Sequence, residues 1–294
     1  MSWEAALGTK KETPAERLEK LKDKIREQQQ APVSPINLAI YGHDGTTKSG
    51  TCMDVRTEQD IKEEKNVFVI DVDGSAGPLW EHYWNRDPHI IIYDPNEINE
   101  ETGEIDWIKT YQNMHDVARY LRLEEKNLNL RAVVIDGLDT FFKVCEHKMR
   151  IADLKIGATA RIDMFSWGIR NNDFLTVVKL IKGLRCDKLY TTHLKPEKEW
   201  VVGPDGSKTL ATTDWHPYWE STMPNLLFQK LKAERIEEEK GKIVKFVATV
   251  EKSKTNSAWE GKKITLLTIN HTGSEPRVEW RGMLDFLEAC RGTK

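Results

Sequence analysis

Five short apolar runs recur along the chain, each ending in polar residues: "INLAIYG", "NVFVIDVD", "HIIIYDP", "RAVVIDG" and "KLYTTH". Runs of this length, β-branched and apolar on consecutive positions, predict strands buried on both faces. Longer helical segments alternate with them. In "NNDFLTVVKLIKGLR", Phe174, Val177, Val178, Ile181 and Leu184 fall on one helical face, the stripe a core-facing helix needs. Strands alternating with helices predict a largely parallel α/β sheet with helices on both faces. The pattern changes toward the C-terminus. "LLFQKLKAERIEEEKGKIVKFVATVEK" reads as two long strands joined at "EKGK", "KKITLLTIN" as a further strand, and "WRGMLDFLEACR" as a closing helix, so an antiparallel extension is expected. No internal repeat is visible.

At the other end, "ETPAERLEKLKDKIREQQQ" carries Leu18, Leu21 and Ile25 at helical spacing among charges, after Thr13 and Pro14 as a helix start. Proline-rich "APVSP" follows and cannot continue the helix. The expected organisation is an amphipathic helix and linker over residues 1–34, then one α/β domain over 35–294. The narrow apolar stripe must lie on something, either its own domain or a neighbouring subunit.

Composition narrows the class. With 39% hydrophobic and 31% charged residues in 294, the chain reads as globular rather than disordered or fibrous. No apolar run approaches the roughly 20 residues of a membrane helix, and the charged N-terminus lacks the apolar segment of a secretory signal. Cys52, Cys145, Cys186 and Cys290 lie far apart without paired spacing, which suggests neither a zinc site nor a disulfide framework and points to a reducing cytoplasm. The net charge of −3, from 44 basic and 47 acidic residues, gives no overall basic footprint. Any nucleic-acid contact must then come from a local stripe of Lys and Arg.

Candidate chemistry gathers at the strand ends, where open α/β sheets bind their ligands. "GHDGTTKS" follows the first strand and meets the phosphate-loop pattern at Gly42, Lys48 and Ser49, with Gly45 in a tolerant position. Thr47 stands where the second fixed glycine belongs. The backbone of Gly42, His43, Asp44, Gly45, Thr46, Thr47, Lys48, Ser49 and Gly50 is expected to cradle phosphate oxygens. Lys48 would neutralise the outer phosphates, and Ser49 would hold Mg²⁺. Asp136 ends "RAVVID" as a second metal-side carboxylate. Asp71 and Asp73 end "VFVIDVD", and either could orient an attacking water. His193 ends "KLYTTH" and could bond a terminal phosphate. Each is an ordinary strand-terminal residue alone; four strands ending alike are harder to dismiss.

In this order the motifs resemble the RecA core, an ASCE P-loop NTPase fold. Asp73 matches the family's catalytic glutamate, Asp136 its Walker B aspartate and His193 its glutamine sensor. "VATVEKSKTNSAW" looks like the RecA segment whose two lysines, one residue apart, reach the neighbouring subunit's ATP; Lys252 and Lys254 take those positions. The resemblance spans about Ile36 to Leu267. It is greatest to the compact ATPases of phages and archaeal viruses associated with single-strand annealing and recombination, so the cytoplasm would be a host's if the chain is virus-encoded.

The resemblance implies an ATP hydrolase using ATP and Mg²⁺, with a catalytic set of Lys48, Asp73, Asp136, His193, Lys252 and Lys254. It also implies a ring or filament with ATP between subunits and the N-terminal helix as an arm. Single-stranded DNA is the expected partner, with no membrane. Two segments correspond to the family's DNA loops. "DLKIGATARIDMFSW" offers Lys155 and Arg161 around Gly157. "KPEKEWVVGPDGSKTLATTDWHPYWESTMP" offers a "PDG" turn, Lys198 and Lys208, with Trp200, Trp215, Tyr218 and Trp219 nearby. Such aromatics could stack bases, or lie buried under the loop. Two departures stand out: Asp73 is one methylene shorter than glutamate, and His193 makes the sensor depend on protonation. A helicase or packaging motor, or a scaffold that barely hydrolyses, remain alternatives.

Overall fold

The computed structural model describes residues 13–29, 35–157, 159–202, 207–273, 275–280 and 282–292. The chain divides into two units, Met1–Ser34 and Pro35–Lys294. In the first, helix α1 (Pro14–Gln29) begins with a reciprocal cap: the Thr13 backbone N–H and hydroxyl donate to the Glu16 carboxylate, and the hydroxyl accepts from Glu16 N–H.

The second unit runs β1 (Asn37–Gly42), α2 (Lys48–Met53), α3 (Glu58–Lys62), β2 (Asn66–Asp71), α4 (Ala76–Trp84), β3 (Ile90–Tyr93), α5 (Trp107–Glu124), β4 (Leu130–Asp136) and α6 (Leu138–Lys148). It continues with α7 (Trp167–Lys182), β5 (Asp187–Val202), β6 (Lys208–Pro217), α8 (Met223–Leu226), β7 (Gln229–Glu238), β8 (Ile243–Ser253), β9 (Lys263–Asn270), β10 (Arg277–Trp280) and α9 (Gly282–Arg291). The sheet order is β10-β9-β8-β7-β1-β5-β4-β2-β3, with β6 pairing only to β5. From β7 to β3 every pairing is parallel; β8, β9 and β10 add antiparallel strands. The expected α/β architecture, a largely parallel sheet with an antiparallel C-terminal extension, is the one observed.

Strict alternation sends the strand side chains to two cores. Ala39, Phe68, Ile70, Val133, Ile135 and Tyr190 face one side, against Met114 and Leu121 of α5, Phe141 of α6 and the Phe174–Ile181 stripe of α7. Leu38, Ile40, Val67, Val69, Val134 and Leu189 face the other, against Cys52 and Met53 of α2 and Met283, Phe286 and Leu287 of α9. Both faces are covered, which is why these strands read as continuous apolar runs.

Two expectations need correcting. Trp280, assigned to the closing helix, belongs to β10, where Arg277–Trp280 pairs with Asn270–Leu267 and its burial alternates as an edge strand's does. Its ring packs on Gly50, where an added Cβ would lie 2.4 Å from it. The long loop expected after His193 is a two-stranded ribbon: β5 continues to Val202 and pairs with β6 from Leu194↔Pro217 to Val202↔Lys208. β-formers at the tip of the first arm (Trp200, Val201, Val202) and along the second (Thr209, Thr212, Thr213, Trp215) favour this pairing over an irregular path. The expected "PDG" turn, residues 204–206, and most of the linker lie outside the described residues.

Candidate functional site

Parallel pairing sets the carboxyl ends of β1, β5, β4 and β2 side by side. Gly42 is opposite His193, and Asp71 is opposite Asp136. The loop leaving β1 is held tightly from the start. A Cβ on Gly42 would meet the Ala233 carbonyl oxygen of β7 at 2.5 Å, so only glycine lets the neighbouring strand pass. Thr46 closes the turn by donating to the His43 carbonyl at 2.8 Å. Gly45 and Thr47 both take left-handed backbone, with φ of 69° and 59°. Thr47 thus occupies a conformation that favours the glycine it replaces. Its carbonyl accepts from Thr51 N–H at 3.0 Å and starts α2.

Lys48 is only 6% exposed. Its Nζ donates to the carbonyls of Gly42 (3.3 Å) and His43 (3.0 Å) and to Thr46 Oγ1 (3.4 Å). Burial holds this amine below the usual lysine range, while Asp136, Asp44, Asp139 and Asp73 pull it back up.

Asp136 is fully buried and is the hub of the floor. Ser49 and Thr191 hydroxyls donate to its Oδ1 at 2.9 and 2.5 Å, and Ser75 donates to its Oδ2 at 2.9 Å. Burial, then the charge of Asp73, push its carboxyl up to about 6. Ser49 Oγ and Ser75 Oγ also stand 2.9 Å apart. Three contacts therefore join Ser49, Ser75 and Asp136 with two hydroxyl protons between them. A proton on the carboxylate, or a cation beside it, resolves the deficit.

Asp71 and Asp73, either of which could orient a water, differ in what each already holds. Asp71 accepts from the N–H groups of Ser75 (3.0 Å), Ala76 (3.0 Å) and Gly77 (3.3 Å), and so anchors the start of α4. Asp73 accepts only from Ser75 N–H, at 3.1 Å, among its described bonds, and lines the cleft. Gly137, at φ 88°, admits it: a Cβ there would touch Asp73 Cβ at 3.0 Å.

Asp44, Gly45, Thr46, Thr47, Lys48, Ser49, Asp73, Ser75 and His193 line one cleft of about 300 Å³, with Asp136 reached through Ser49 and Ser75. His43 stacks edge-on against Trp215, ring centroids 4.7 Å apart, so this tryptophan touches the loop. The remaining candidates lie elsewhere. Lys252 pairs with Lys230 at the start of β7, whereas Gly42 lies opposite Ala233. That is toward the far end of the sheet, three residues or about 10 Å along the strand. Lys252 donates to the Pro224 carbonyl at 2.5 Å, and Lys254 beside it is exposed. Lys155 follows a π-helical turn (Met149–Asp153) in left-handed backbone. Arg161 lines a separate hollow with Trp167 and Met164. Lys198 and Lys208 are on the ribbon.

The ribbon's register assigns its faces. Lys198 pairs with Thr212, Trp200 with Leu210, and Val202 with Lys208. Positions two apart share a face, so Lys198, Trp200, Leu210 and Lys208 share one, with Trp200 69% exposed. At the ribbon's base, Tyr218 and Trp219 are half-buried around a second cleft of about 520 Å³. Lys195 Nζ lies 4.8 Å from the Tyr218 ring, and the Arg170 guanidinium 4.4 Å from the Trp167 ring.

Sequence reasoning missed Asp139, Ser75 and Thr191. Asp139 begins α6 three residues after Asp136 and is almost wholly buried against His193. Its signal was a first-turn acid in "IDGLDT"; nothing along the chain marks Thr191 or Ser75 as partners of Asp136.

No protein-family model and no curated protein sequence matches the chain. Among solved structures it is similar to a KaiC-like protein of the hyperthermophilic archaeon Pyrococcus horikoshii OT3, with 13% identity over 84% of this chain and 90% of that one and a TM-score of 0.48.

Proposed function

We propose that the protein is a RecA-like P-loop ATPase that acts on single-stranded DNA in annealing or recombination. One observation carries this reading: Lys48, Ser49, Asp73 and His193, contributed from the ends of three strands, converge on one cleft above the buried Asp136. The cleft suits a triphosphate, with a wrapped loop, a buried amine and a polar floor. Its floor suits Mg²⁺, a cation that takes hard oxygen ligands. Oxygens of Asp71, Asp73 and Asp136 lie within 4.8 Å of one another, and the proton-deficient Ser49–Ser75–Asp136 group would accept positive charge.

In this reading Ser49 and Asp136 would hold the metal, which would supply charge neutralisation at the outer phosphates. Lys48 exchanges its loop carbonyls for phosphate oxygens. Asp73 accepts the proton of a water whose oxygen bonds the terminal phosphorus as the bridging oxygen leaves with the diphosphate. Lys252 and Lys254 are too far along the sheet to serve their own loop, which supports a role at a neighbouring subunit's ATP in a ring or filament, with α1 as the arm. The Lys198–Trp200–Leu210–Lys208 face supports DNA contact, because an exposed aromatic between lysines can stack a base while cations track phosphates. Lys155, Arg161 and Trp215 belong to the same proposal. A nucleotide-binding scaffold is the second reading, favoured by Asp73, short and already engaged by Ser75 N–H.

The test is ATP turnover by the purified protein with and without single-stranded DNA, beside a Lys48→Ala variant. DNA-stimulated turnover that disappears in the variant is expected. Turnover unchanged by Lys48→Ala would contradict the assignment, and tight binding without turnover would select the scaffold.

A further inference from the structure

His193 is held between two carboxylates. On one side Asp139, 3% exposed, receives the ring Nδ1 at 3.2 and 3.3 Å and the His193 backbone N–H at 3.3 Å. On the other, Nε2 lies 3.3 Å from Asp44 Oδ1, a carboxylate whose side chain is 95% exposed at the loop tip. Asp139 is fixed in place: it sits in the first turn of α6, with Thr192 Oγ1 at 3.5 Å and Lys143 Nζ at 3.8 Å. Asp44 has no such support among its described contacts.

We propose that Asp139 is a positioning residue: through Nδ1 of His193 it presents Nε2 to the cleft as a proton donor for the terminal phosphate of a bound nucleoside triphosphate, in the place the Asp44 carboxylate holds in the structure. This rests on the nucleotide reading above and adds to it what makes the histidine selective.

The argument is one of proton placement. An ionised carboxylate is acceptor-only, so Asp139 keeps a proton on Nδ1. A neutral ring with its proton there turns a bare lone pair toward the cleft, which repels an anion. Nε2 becomes a donor only when the ring is an imidazolium. The other charged groups facing the ring are Lys48 from α2, which disfavours its charge, and Asp44 from the loop, which favours it. The hydrogen bond to Asp139, with the charges of Asp139 and Asp44, outweighs burial and Lys48 and holds His193 above the usual histidine range.

The sign follows from that direction. The imidazolium is fully formed below the ordinary histidine range and is lost as pH rises through the raised value of the folded protein. The grip on a terminal phosphate is then lost over the same window. Asp44 acts as an exchangeable stand-in: a triphosphate that reaches Nε2 must displace it, while a diphosphate that falls short leaves it in place.

The experiment measures equilibrium binding of a non-hydrolysable ATP analogue and of ADP, with Mg²⁺, between about pH 6 and pH 8.5. Wild type, Asp139→Asn, Asp139→Glu and Asp44→Ala are compared, and His193 is followed by NMR of histidine-labelled protein without nucleotide. In the wild type the analogue's advantage over ADP should fall about tenfold as His193 deprotonates, the difference between a charge-assisted and a neutral hydrogen bond. Asp139→Asn, free to donate to Nδ1 and move the proton to Nε2, should abolish that pH step and lower the His193 titration. Asp139→Glu should restore it in part. Asp44→Ala should tighten the analogue about two- to fivefold, the worth of an exposed ion pair, without tightening ADP. A His193 titration unmoved by Asp139→Asn would overturn the inference even if nucleotide binds normally. Absence of any nucleotide binding, with the NMR shift intact, would instead sink the reading on which the phosphate role rests.

Discussion

Thr47 carries a conformational cost that can be read directly. A left-handed threonine costs about 1–2 kcal/mol relative to relaxed backbone, and a glycine would give back about 0.5–1 kcal/mol through its freer unfolded state. Thr47→Gly should therefore stabilise the protein by roughly 0.5–1 kcal/mol in thermal unfolding; a loss of stability would show that the Thr47 side chain does more than tolerate the turn. Asp136 holds a larger strain. A buried carboxyl raised to about 6 favours folding fully only below its unfolded value, and that contribution is lost as pH rises through about 6. Asp136→Asn removes the cost. At pH 8 it should be more stable than wild type by about 1–3 kcal/mol and so unfold at higher temperature, while losing metal-dependent nucleotide binding. A Tm below wild type would contradict the burial argument. At this scale the loop, Lys48, Asp73 and His193 were legible because pattern and strand ends mark them. Asp139 was not, because its role comes from a histidine 54 positions away in sequence.

Among elements, the ribbon and the far end of the sheet's central strands behave differently. Trp200 has no backing layer, so Trp200→Ala should leave the unfolding midpoint nearly unchanged and weaken single-strand DNA binding about tenfold or more. Unaltered DNA affinity would remove the ribbon from the interface. At the opposite end, Asp187 of β5 accepts from Ile36 N–H and from Arg131 at 2.6 Å, and is also paired with Arg291. Asp187→Ala leaves those donors buried or half-buried without it, and should cost at least about 3 kcal/mol in denaturant unfolding. A change below about 1 kcal/mol would mean that water replaces it. The strands themselves were legible, since burial on both faces writes itself as unbroken apolar runs. The ribbon was not: its residues face solvent, and a strand with no buried face leaves no hydrophobic signature. Trp280 was misassigned for a related reason, because "EWRGMLDF" offers one apolar stripe to either structure and pairing with β9 decides it.

For the molecule as a whole, the order of strands was beyond the sequence. Alternation predicts a parallel sheet, but not that β5 lies between β1 and β4 and so brings His193 to Lys48's loop. The same topology removes Lys252 and Lys254 from their own loop, so mixing Lys48→Ala with Lys252→Ala protein should restore part of the activity each lacks alone. No recovery across mixing ratios would argue against a shared site. Beneath all of this lies the claim that a nucleoside triphosphate seats in the loop above Asp136. Calorimetric titration of a non-hydrolysable ATP analogue with Mg²⁺ into wild type and Lys48→Ala tests it most directly. Saturable one-site binding, weakened at least about tenfold by losing the charge-assisted contact, is the expected result; equal affinity in the two proteins, or none in either, would contradict it.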